Sequence, residues 1–521
     1  MKKNNEISSE LMSVYDVNSE WFGVSRQLLM ENAGSGIARE IRSFKNVFEN
    51  KSFKSIAIFC GTGGNGGDGF VLARHLYGDF NVTVFLLGYP ERISSVPAKN
   101  NWDALARLPS LEVKIIRDSS ELTNIDLQKQ DVIIDALLGS GLRFSPRNPH
   151  ATAIEIINKF HDQGKIIWSI DLPSGLLENG ELGKPSVNPD CIFSLHQPKM
   201  GTLNFKSVVN IPIGIPLDAI IGSGPGYFRF FRTRDPSSHK GDNGTALIIA
   251  GSKDYHGATI LSANAMLKTG IDLITIVCPQ EIAPTIRNAN SEFIVHPYNF
   301  SYFCKDIVYE IISIAVSKSV VLLGPGLGNQ KEVEEGINLF IDNWAGLEHK
   351  PGLVIDADAL KFLSKDLKKF TNDMIVTPHA GEFFSLTNVK LSSCNKLPER
   401  KKQINKITSK YQGVWLVKGK VDLIVNESRL IQNNTGCSAM TIGGTGDVLA
   451  GVTAGLFARS KKAFYSAIVS AFWVGLTGEY TALQNSGFST NKLIENLPIV
   501  WKEINKFIDD EENNLKNLSF K

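Results

Sequence analysis

The residues that most clearly predict chemistry form a glycine-rich segment near the C-terminus, which ends in a carboxylate and leads into the apolar stretch 448–458. The segment consists of Gly443, Gly444, Thr445, Gly446 and Asp447. Glycines let backbone N–H groups approach a phosphoryl oxygen, and a helix that begins there directs its positive dipole end at the same point. A carboxylate in the first turn can act as a general base or align a hydroxyl. The segment therefore predicts phosphoryl transfer with Asp447 as a catalytic residue.

A second glycine-rich segment, residues 61–69, follows a β-branched run near the N-terminus. Its glycines match GxGxxG, which alone is weak evidence for a dinucleotide site. The extra glycines predict a loop that wraps a phosphate and also offers the side-chain oxygens of Asn65 and Asp68. The residues of this loop expected to contact a ligand are Gly64, Asn65, Gly66, Gly67 and Asp68.

Two further strand ends place carboxylates near this loop. Asp135 precedes a glycine loop with Arg143 available for a phosphate, and Asp171 precedes a tight turn that contains Ser174. Asn65, Asp135 and Ser174 offer hard oxygen ligands, which suit a group-1 or group-2 cation. Asp171 then remains for proton transfer. A lone Asp at a strand end often only caps the next helix, but three such motifs at one sheet edge favour a ligand site.

These motifs need parallel βα units to position them, because the carboxyl ends of parallel strands meet at one sheet edge. Short β-branched runs that end in Gly or Asp turns predict two series of strands. The first series covers residues 55–60, 82–87, 132–135 and 166–171. The second series covers residues 246–250, 273–278, 320–323, 353–356, 374–377 and 414–417. An α/β fold with two domains follows, and the Pro- and Gly-rich residues 211–226 mark the boundary, which gives domains 1–224 and 225–521.

Composition limits the partners. The chain has 521 residues, a net charge of +2 and no Lys/Arg-rich block, so neither nucleic acid nor an anionic membrane is expected. The six cysteines form no CxxC pair, which argues against a zinc site or a disulfide framework. With no apolar signal core and no membrane-length apolar run, we expect a cytoplasmic protein. The acidic and polar residues 509–521 are expected to form a solvated tail.

The second domain repeats the pattern of polar motifs at strand ends. Gly257 and Ala258 begin a helix and permit close approach of a flat ligand, and residues 324–328 (GPGLG) follow a later strand. His379 lies beside a turn next to Glu382, where an imidazole is more often structural than catalytic. Residues 418–422 (KGKVD) bring two ammonium groups towards Gly443–Asp447. No GxxxxGK[ST] element is present, so a nucleotide would be held without a Walker-type loop.

The N-terminal motifs resemble the epimerase domain of the NAD(P)H-hydrate repair enzymes over roughly residues 10–220. The motifs are LMENAG, NGGDG, DALLGSG, DLPSG and HQPKMG. The resemblance implies a Rossmann-like domain that holds K⁺ at Asn65, Asp135 and Ser174 and contacts hydrated NADH or NADPH. The implied contacts are residues 64–68, Asp171 and the loop Gly139, Ser140, Gly141, Leu142, Arg143, Phe144 and Ser145. Gly64 stands where the family usually has Asn.

The C-terminal motifs resemble the dehydratase half of the same enzymes, a ribokinase-like domain, over roughly residues 228–505. HKGDNG, GSKDYHGA, GPGLG, DADAL, TPHAGE, KGK and NTGCSAMTIGGTGD occur in the family's order. The resemblance implies substrate contacts at Ala258, Gly326, Gly328, His379 and Asp447. It implies nucleotide contacts at Lys418, Gly419, Lys420, Val421, Asp422 and Gly446. The glycine-rich residues 443–447, here termed the phosphate segment, add Gly443, Gly444 and Thr445. Asp422 replaces the usual Thr, and residues 437–439 replace the usual Asn-Pro-Gly.

The combined prediction is a bifunctional repair enzyme with two three-layer α/β domains. The N-terminal domain interconverts the R and S hydrates through Asp171, and the C-terminal domain dehydrates the S form with ADP and Mg²⁺, giving AMP and phosphate. ADP is favoured over ATP by the resemblance alone. A homo-oligomer is also expected. Three alternatives stay open: a kinase of a vitamin-precursor alcohol, a non-catalytic N-terminal binding module, and a dinucleotide-dependent oxidoreductase.

Overall fold

The computed structural model describes residues 6–47, 53–123, 125–231, 234–363, 370–484 and 487–509. The chain divides into two compact units, one that ends at Ile220 and one that begins at Ile221. Of the tail expected at residues 509–521, Asp509 ends a helix and residues 510–521 lie outside the described residues. Within the described ranges, no helix is both long and apolar enough to cross a membrane.

The first unit contains a seven-stranded sheet in which every neighbouring pair is parallel. Its strands are β1 Ser55–Cys60, β2 Asn81–Leu87, β3 Glu112–Ile116, β4 Val132–Ala136, β5 Ile166–Ile170, β6 Cys191–Leu195 and β7 Val208–Ile211. The order across the sheet is β3-β2-β1-β4-β5-β6-β7. Its helices are α1 Ser9–Trp21, α2 Arg26–Val47, α3 Gly64–Leu76, α4 Val96–Leu105, α5 Ser119–Leu122, α6 His150–Asp162 and α7 Leu217–Ile221, the last of which reaches the division between the units.

The second unit contains a nine-stranded sheet. Its strands are β8 Thr245–Ile249, β9 Leu273–Pro279, β10 Phe293–Tyr298, β11 Val320–Leu323, β12 Gly352–Ile355, β13 Met374–Val376, β14 Val414–Val417, β15 Asp422–Val425 and β16 Leu430–Asn433. The order is β10-β9-β8-β11-β12-β13-β14-β15-β16, and only the pairs β14–β15 and β15–β16 are antiparallel. Its helices are α8 Gly257–Leu267, α9 Ala283–Ala289, α10 Val308–Ala315, α11 Lys331–Ala345, α12 Asp358–Phe362, α13 Ala380–Thr387, α14 Leu397–Thr408, α15 Thr445–Ser460, α16 Ala463–Leu483 and α17 Thr490–Asp509.

Both sheets have the apolar cores that parallel strands need. Every residue of β4 and of β11 is buried, so side chains on both faces of these strands are covered. Continuous apolar runs of this kind are typical of parallel sheets with helices on both faces. The structure therefore has the predicted α/β class, with two mostly parallel sheets.

One local prediction is wrong. Residues 61–69 were expected to form a loop, but α3 already begins at Gly64, so Asn65 to Asp68 lie in its first turns. Close packing explains the helical glycines. A Cβ on Gly66 would lie 1.9 Å from the carbonyl oxygen of Gly61, and one on Gly67 would lie 2.7 Å from the Met30 side chain. The glycines thus let the helix pack closely against its neighbours.

Candidate active sites

The N-terminal site lies where the strand order reverses. In the first unit, β1 lies between β2 and β4, so the connections from β1 and β4 leave in different directions. Open α/β sheets bind ligands in the crevice at such a point, beyond the carboxyl ends of the strands. Asn65 follows β1 and Leu138 follows β4, and the Asn65 Nδ2 group donates a hydrogen bond to the Leu138 carbonyl over 3.1 Å.

A cavity of about 560 Å³ opens at this position. The predicted residues that line it are Gly64, Asn65, Asp68, Gly139, Ser140, Gly141, Leu142 and Asp171. The lining residues that the motifs did not predict include Asp16 of α1, Arg26 and Met30 of α2, and Lys199. Met30 and Lys199 lie within the quoted LMENAG and HQPKMG motifs, whereas α1 carries no glycine or turn signal that would mark it.

Five predicted contact residues lie outside this lining. Gly66 and Gly67 are enclosed by packing, as described above. The Arg143 side chain is 70% exposed and pairs with Glu178 over 3.3 Å. Phe144 is 75% exposed. The Ser145 hydroxyl accepts a hydrogen bond from the Lys184 backbone over 3.2 Å. The structure therefore brings residues 139–142 of the predicted loop to the cavity, but not residues 143–145.

The three predicted cation ligands are close together. Ser174 donates from its hydroxyl to Asp135 Oδ1 and from its backbone to Oδ2, the latter over 2.8 Å. The Ser174 hydroxyl also accepts from the Leu138 backbone over 2.9 Å. The buried Asn65 Oδ1 atom has no hydrogen-bond partner within the described ranges. An orphaned amide oxygen beside a hydroxyl and a single carboxylate fits a weakly charged, oxygen-preferring ion such as K⁺.

Asp135 also organises the loop around it. The carboxylate is fully buried and accepts further hydrogen bonds from the Ser169 hydroxyl over 2.9 Å and the Leu137 backbone over 3.2 Å. Burial raises the pKa of Asp135, and the hydrogen bonds from Ser174, Leu137 and Ser169 oppose that rise. Nowhere in the described part of the chain do three or more His, Cys, Asp or Glu residues form a metal cluster.

Asp171 is held beside an ammonium group. Its backbone is left-handed with φ of 63°, and its N–H donates to the Phe193 carbonyl over 2.8 Å. Its carboxylate oxygen Oδ1 accepts from the Lys199 ammonium and from the Leu195 backbone, the latter over 3.1 Å. Lys199 is only 2% exposed, so this ion pair is shielded from bulk water. Asp171 therefore forms a shielded, charge-assisted hydrogen bond with Lys199 at the cavity wall.

In the C-terminal unit, the strand order reverses between β8 and β11. The loops after these strands meet, because the Gly251 backbone donates to the Pro325 carbonyl over 2.9 Å. Gly326 has φ of 68°, and a Cβ there would lie 3.4 Å from the Ala258 Cβ. Gly328 donates from its backbone to Asp358 over 2.9 Å. The predicted substrate residues Ala258 and Gly326 therefore lie close together, and Gly328 lies further along the same loop, next to Asp358.

The phosphate segment has the predicted helix behind it. Gly444 is left-handed with φ of 92°, and α15 begins at the next residue. The first N–H groups of a helix have no intrahelical acceptor, so those of Thr445 and Gly446 are available to an anion. A Cβ on Gly443 would meet nothing within 4 Å, and one on Gly446 would lie 3.7 Å from the Lys418 Nζ atom. The segment thus faces open space beside an ammonium group.

Asp447 is half-buried in the first turn of α15. Burial raises its pKa to about 7, and the negative charges of Asp356 and Asp358 act in the same direction, whereas Lys418 opposes them. A carboxylate with a pKa near 7 is a stronger base than an ordinary one and is still partly ionised at neutral pH. Asp447 therefore has the properties of a general base.

Lys418 is held at the segment by carboxylates. Its ammonium lies 2.8 Å from Asp356 Oδ1 and 3.7 Å from Glu382 Oε2. The Thr377 hydroxyl donates to the same Asp356 oxygen over 2.6 Å. Burial tends to lower the pKa of Lys418, but Asp356, Glu382 and Asp447 together raise it above its usual value. Lys418 therefore remains a cation over the whole neutral range.

His379 caps a helix. Its Nδ1 atom accepts from the backbones of Gly381 and Glu382 over 3.0 and 3.2 Å, and the Glu382 carboxylate accepts from the His379 backbone. This reciprocal pair is a capping box at the start of α13. The imidazole is nevertheless 60% exposed, so one face remains accessible to a ligand.

A second cavity, of about 550 Å³, adjoins the phosphate segment. The predicted nucleotide residues that line it are Lys418, Gly419, Lys420, Asp422, Thr445 and Gly446. Val421, Gly443 and Gly444 are outside the lining. The lining residues that the motifs did not assign include Thr435, Gly436, Met440, Thr441, Leu449, Ala471, Val474 and Gly475. Ala471, Val474 and Gly475 share one face of α16, and their i, i+3, i+4 spacing is the only signal in the sequence that could have revealed them.

Asp422, which replaces the Thr of the resembled pattern, supports the turn that carries the lysines. Its carboxylate accepts from the Gly419 backbone over 2.9 Å and from the Asn433 amide over 3.0 Å. Burial raises its pKa to about 6. Cys437 and Ser438 of the other divergent segment also line this cavity.

The fold and the two sites define a two-unit α/β protein, in which one unit holds a cavity with Asp68 and Asp171 in its wall and the other a glycine-rich helix terminus beside Lys418. A family model described as YjeF-related protein N-terminus matches residues 26–201, and one described as NAD(P)H-hydrate dehydratase matches residues 246–498.

Curated relatives match nearly the whole chain. It is 39% identical over 503 residues to the bifunctional NAD(P)H-hydrate repair enzyme Nnr of Methanothermobacter thermautotrophicus, covering 94% of each chain. It is 38% identical to the enzyme of the same name from Pyrobaculum aerophilum, covering 95% of this chain and 97% of that one. A solved ADP/ATP-dependent NAD(P)H-hydrate dehydratase from Bacillus subtilis is 25% identical, with a TM-score of 0.42, over 52% of this chain and 94% of that one. The chain belongs to the family of bifunctional NAD(P)H-hydrate repair enzymes.

Proposed function

We propose that this chain restores hydrated NADH and NADPH, by epimerisation in the N-terminal unit and nucleotide-dependent dehydration in the C-terminal unit. Membership of the bifunctional family supports the pair of activities. The observation that carries the dehydratase half is the placement of Asp447. Its carboxylate lies in the first turn of α15, beside Lys418 and next to open space in front of Gly443.

Dehydration needs an activated leaving group. The hydrated ring carries a hydroxyl, and hydroxide leaves poorly because water is a very weak acid. Asp447 accepts the hydroxyl proton while the oxygen attacks the terminal phosphoryl group of the nucleotide. The N–H groups of Thr445 and Gly446, together with the Lys418 ammonium, stabilise charge on the transferred group. The lone pair of the ring nitrogen then expels phosphate and leaves a cationic ring, and loss of a proton from the neighbouring ring carbon restores the reduced nicotinamide.

The nucleotide occupies the cavity of about 550 Å³, with its phosphates towards Lys418 and Gly446. We propose ADP as the phosphoryl donor, which gives AMP and phosphate. Mg²⁺ would be held mainly by nucleotide phosphates and water, as is usual for this ion, since no group of three or more His, Cys, Asp or Glu residues among the described ones could hold a metal ion. Bound there, the ion would supply positive charge near the transferred group.

The N-terminal cavity binds the nicotinamide half of the hydrate, and Asp171 is the residue that transfers a proton during epimerisation. K⁺ would lie between Asn65, Asp135 and Ser174, where it would fix the start of α3 against the end of β4 and the turn after β5. We also propose that the protein acts in the cytoplasm and assembles as a homo-oligomer.

Product analysis tests the dehydratase assignment. The purified chain is incubated with the hydrates, Mg²⁺ and ADP or ATP, while reduced-ring absorbance and free phosphate are followed. We expect one phosphate for each reduced ring. Asp447→Asn should lower this rate about 10²- to 10⁴-fold, the usual contribution of a general base. A stable phosphorylated alcohol without restored absorbance would instead identify a small-molecule kinase.

A further inference from the structure

We propose that Asp68 is the general acid of epimerisation and acts with Asp171 on opposite faces of the ring, by loss and re-addition of water. The inference rests on the epimerase function proposed above and assigns a second catalytic residue to the same site. Both side chains line the cavity of about 560 Å³, Asp68 from α3 and Asp171 from the turn after β5.

The two carboxyl groups differ in their hydrogen-bond partners. Asp171 accepts from the Lys199 ammonium and from the Leu195 backbone, which stabilise its charged form. Asp68 is 9% exposed, and no hydrogen bond to its carboxyl is present in the described part of the chain. A carboxyl group that is buried without donors favours its neutral, protonated form. The cavity therefore holds one carboxylate and one carboxylic acid.

The charges that face Asp68 support this difference. Burial is the largest influence and raises the pKa of Asp68 well above its usual range. The negative charges of Asp171 and of Asp16 on α1 raise the pKa further, while Lys199 lowers it. Arg26, at the start of α2, lines the same cavity. Cys60 lies in β1 behind the helix, and its thiol stays neutral because burial and the nearby carboxylates raise its pKa.

Inversion at the ring carbon by this route needs one protonated group, which gives a proton to the leaving hydroxyl, and one deprotonated group, which accepts a proton from the incoming water. Asp68 gives its proton to the ring hydroxyl while the carbon–oxygen bond breaks and its electron pair leaves with water. The lone pair of the adjacent ring nitrogen forms a carbon–nitrogen double bond and a cationic ring. Water then adds from the opposite face and gives a proton to Asp171. Asp68 ends as a carboxylate and Asp171 as a carboxylic acid. In this state the pair can convert the other isomer. Proton exchange with water returns Asp68 to its protonated form and Asp171 to its carboxylate form.

The test uses single hydrate isomers without nucleotide, so that dehydration does not occur. Interconversion is followed by chromatographic separation of the isomers, for the wild-type chain, Asp68→Asn and Asp103→Asn. Asp103 is a matched control, because its carboxylate is 48% exposed and pairs with Lys99 on α4. Asp68→Asn should lower the rate at least 100-fold, with the dissociation constant of the hydrate and the melting temperature little changed. Asp103→Asn should stay within about twofold of wild type.

A second measurement follows the oxygen atom in the wild-type chain. In H₂¹⁸O, each inversion should place one solvent oxygen on the ring. Inversion with the original oxygen retained would overturn the water-loss step, and this result does not depend on the folding of any variant. A folded Asp68→Asn protein within threefold of wild type would overturn the assignment of Asp68. A wild-type chain that inverts no faster than buffer would instead refute the proposed epimerase function itself.

Discussion

The rate of dehydration should fall as the pH drops through about 7, because Asp447 must be ionised to accept the hydroxyl proton. Burial and the charge of Asp356 raise its pKa to about 7. A group with that pKa is roughly one-tenth ionised at pH 6, half ionised at pH 7 and nine-tenths ionised at pH 8. We therefore expect kcat to rise about fivefold from pH 6 to pH 7 and less than twofold from pH 7 to pH 8.

Asp356→Asn should move this profile to lower pH. The substitution removes a negative charge that raises the pKa of Asp447, and it also removes the 2.8 Å partner of Lys418. Without the Asp356 carboxylate beside it, the Lys418 ammonium stabilises the Asp447 carboxylate more strongly. Both effects therefore lower the pKa of Asp447. Lys418 should add no loss of activity on the alkaline side of neutrality, since its own pKa is raised.

The assay is the return of reduced-ring absorbance with saturating S hydrate and nucleotide, measured from about pH 5.5 to pH 9. Glu427→Gln provides a matched control, because this exposed carboxylate lies in the turn between β15 and β16. Its midpoint should equal that of wild type. A flat wild-type profile, or an Asp356→Asn midpoint at or above that of wild type, would refute the electrostatic reasoning.

Three further predictions concern the loops and cavities. Asp135→Ala leaves the Ser169 hydroxyl and the Ser174 backbone N–H without the acceptor they share, so urea unfolding should show a loss of about 3 kcal/mol, and a loss below about 1 kcal/mol would contradict the hydrogen-bond account. Asn65→Leu should remove any stimulation of epimerisation by KCl over NaCl, and unchanged stimulation would exclude Asn65 as a K⁺ ligand. Gly475→Val should raise the KM for nucleotide at least tenfold with a folded protein, because even a Cβ would lie 2.3 Å from the Thr435 hydroxyl; an unchanged KM would place the nucleotide elsewhere.

The strands that carry the sites could be predicted because they are buried on both faces. The predicted bounds of β1, β11 and β14 coincide with those observed. Of the strands that were missed, β3 lies at the sheet edge and lacks this two-sided burial, whereas β6 was missed although all its residues are buried. In β3, residues alternate between exposed and partly buried, so Glu112 and Lys114 interrupt the apolar run. The β15–β16 hairpin also breaks the βα pattern on which the prediction was based.

The candidate sites were predictable where a motif is local and not where it depends on packing. The helix at Asp447 follows from the glycines before it and the apolar run after it. The early start of α3 could not be predicted, because it depends on how closely Gly66 approaches Gly61. The pairing of Asp171 with Lys199 joins residues on separate connections of the sheet, and no spacing rule links them. His379 illustrates a residue whose capping geometry only the fold reveals.

The most direct test of two separate activities uses a mixture of R and S hydrates with excess nucleotide. The wild-type chain should restore the reduced ring completely. Asp171→Ala should restore only the S fraction at the wild-type initial rate and then continue at the rate of spontaneous inversion. Complete conversion by Asp171→Ala at the wild-type rate, or loss of conversion of the S form as well, would contradict the division of work between the two sites.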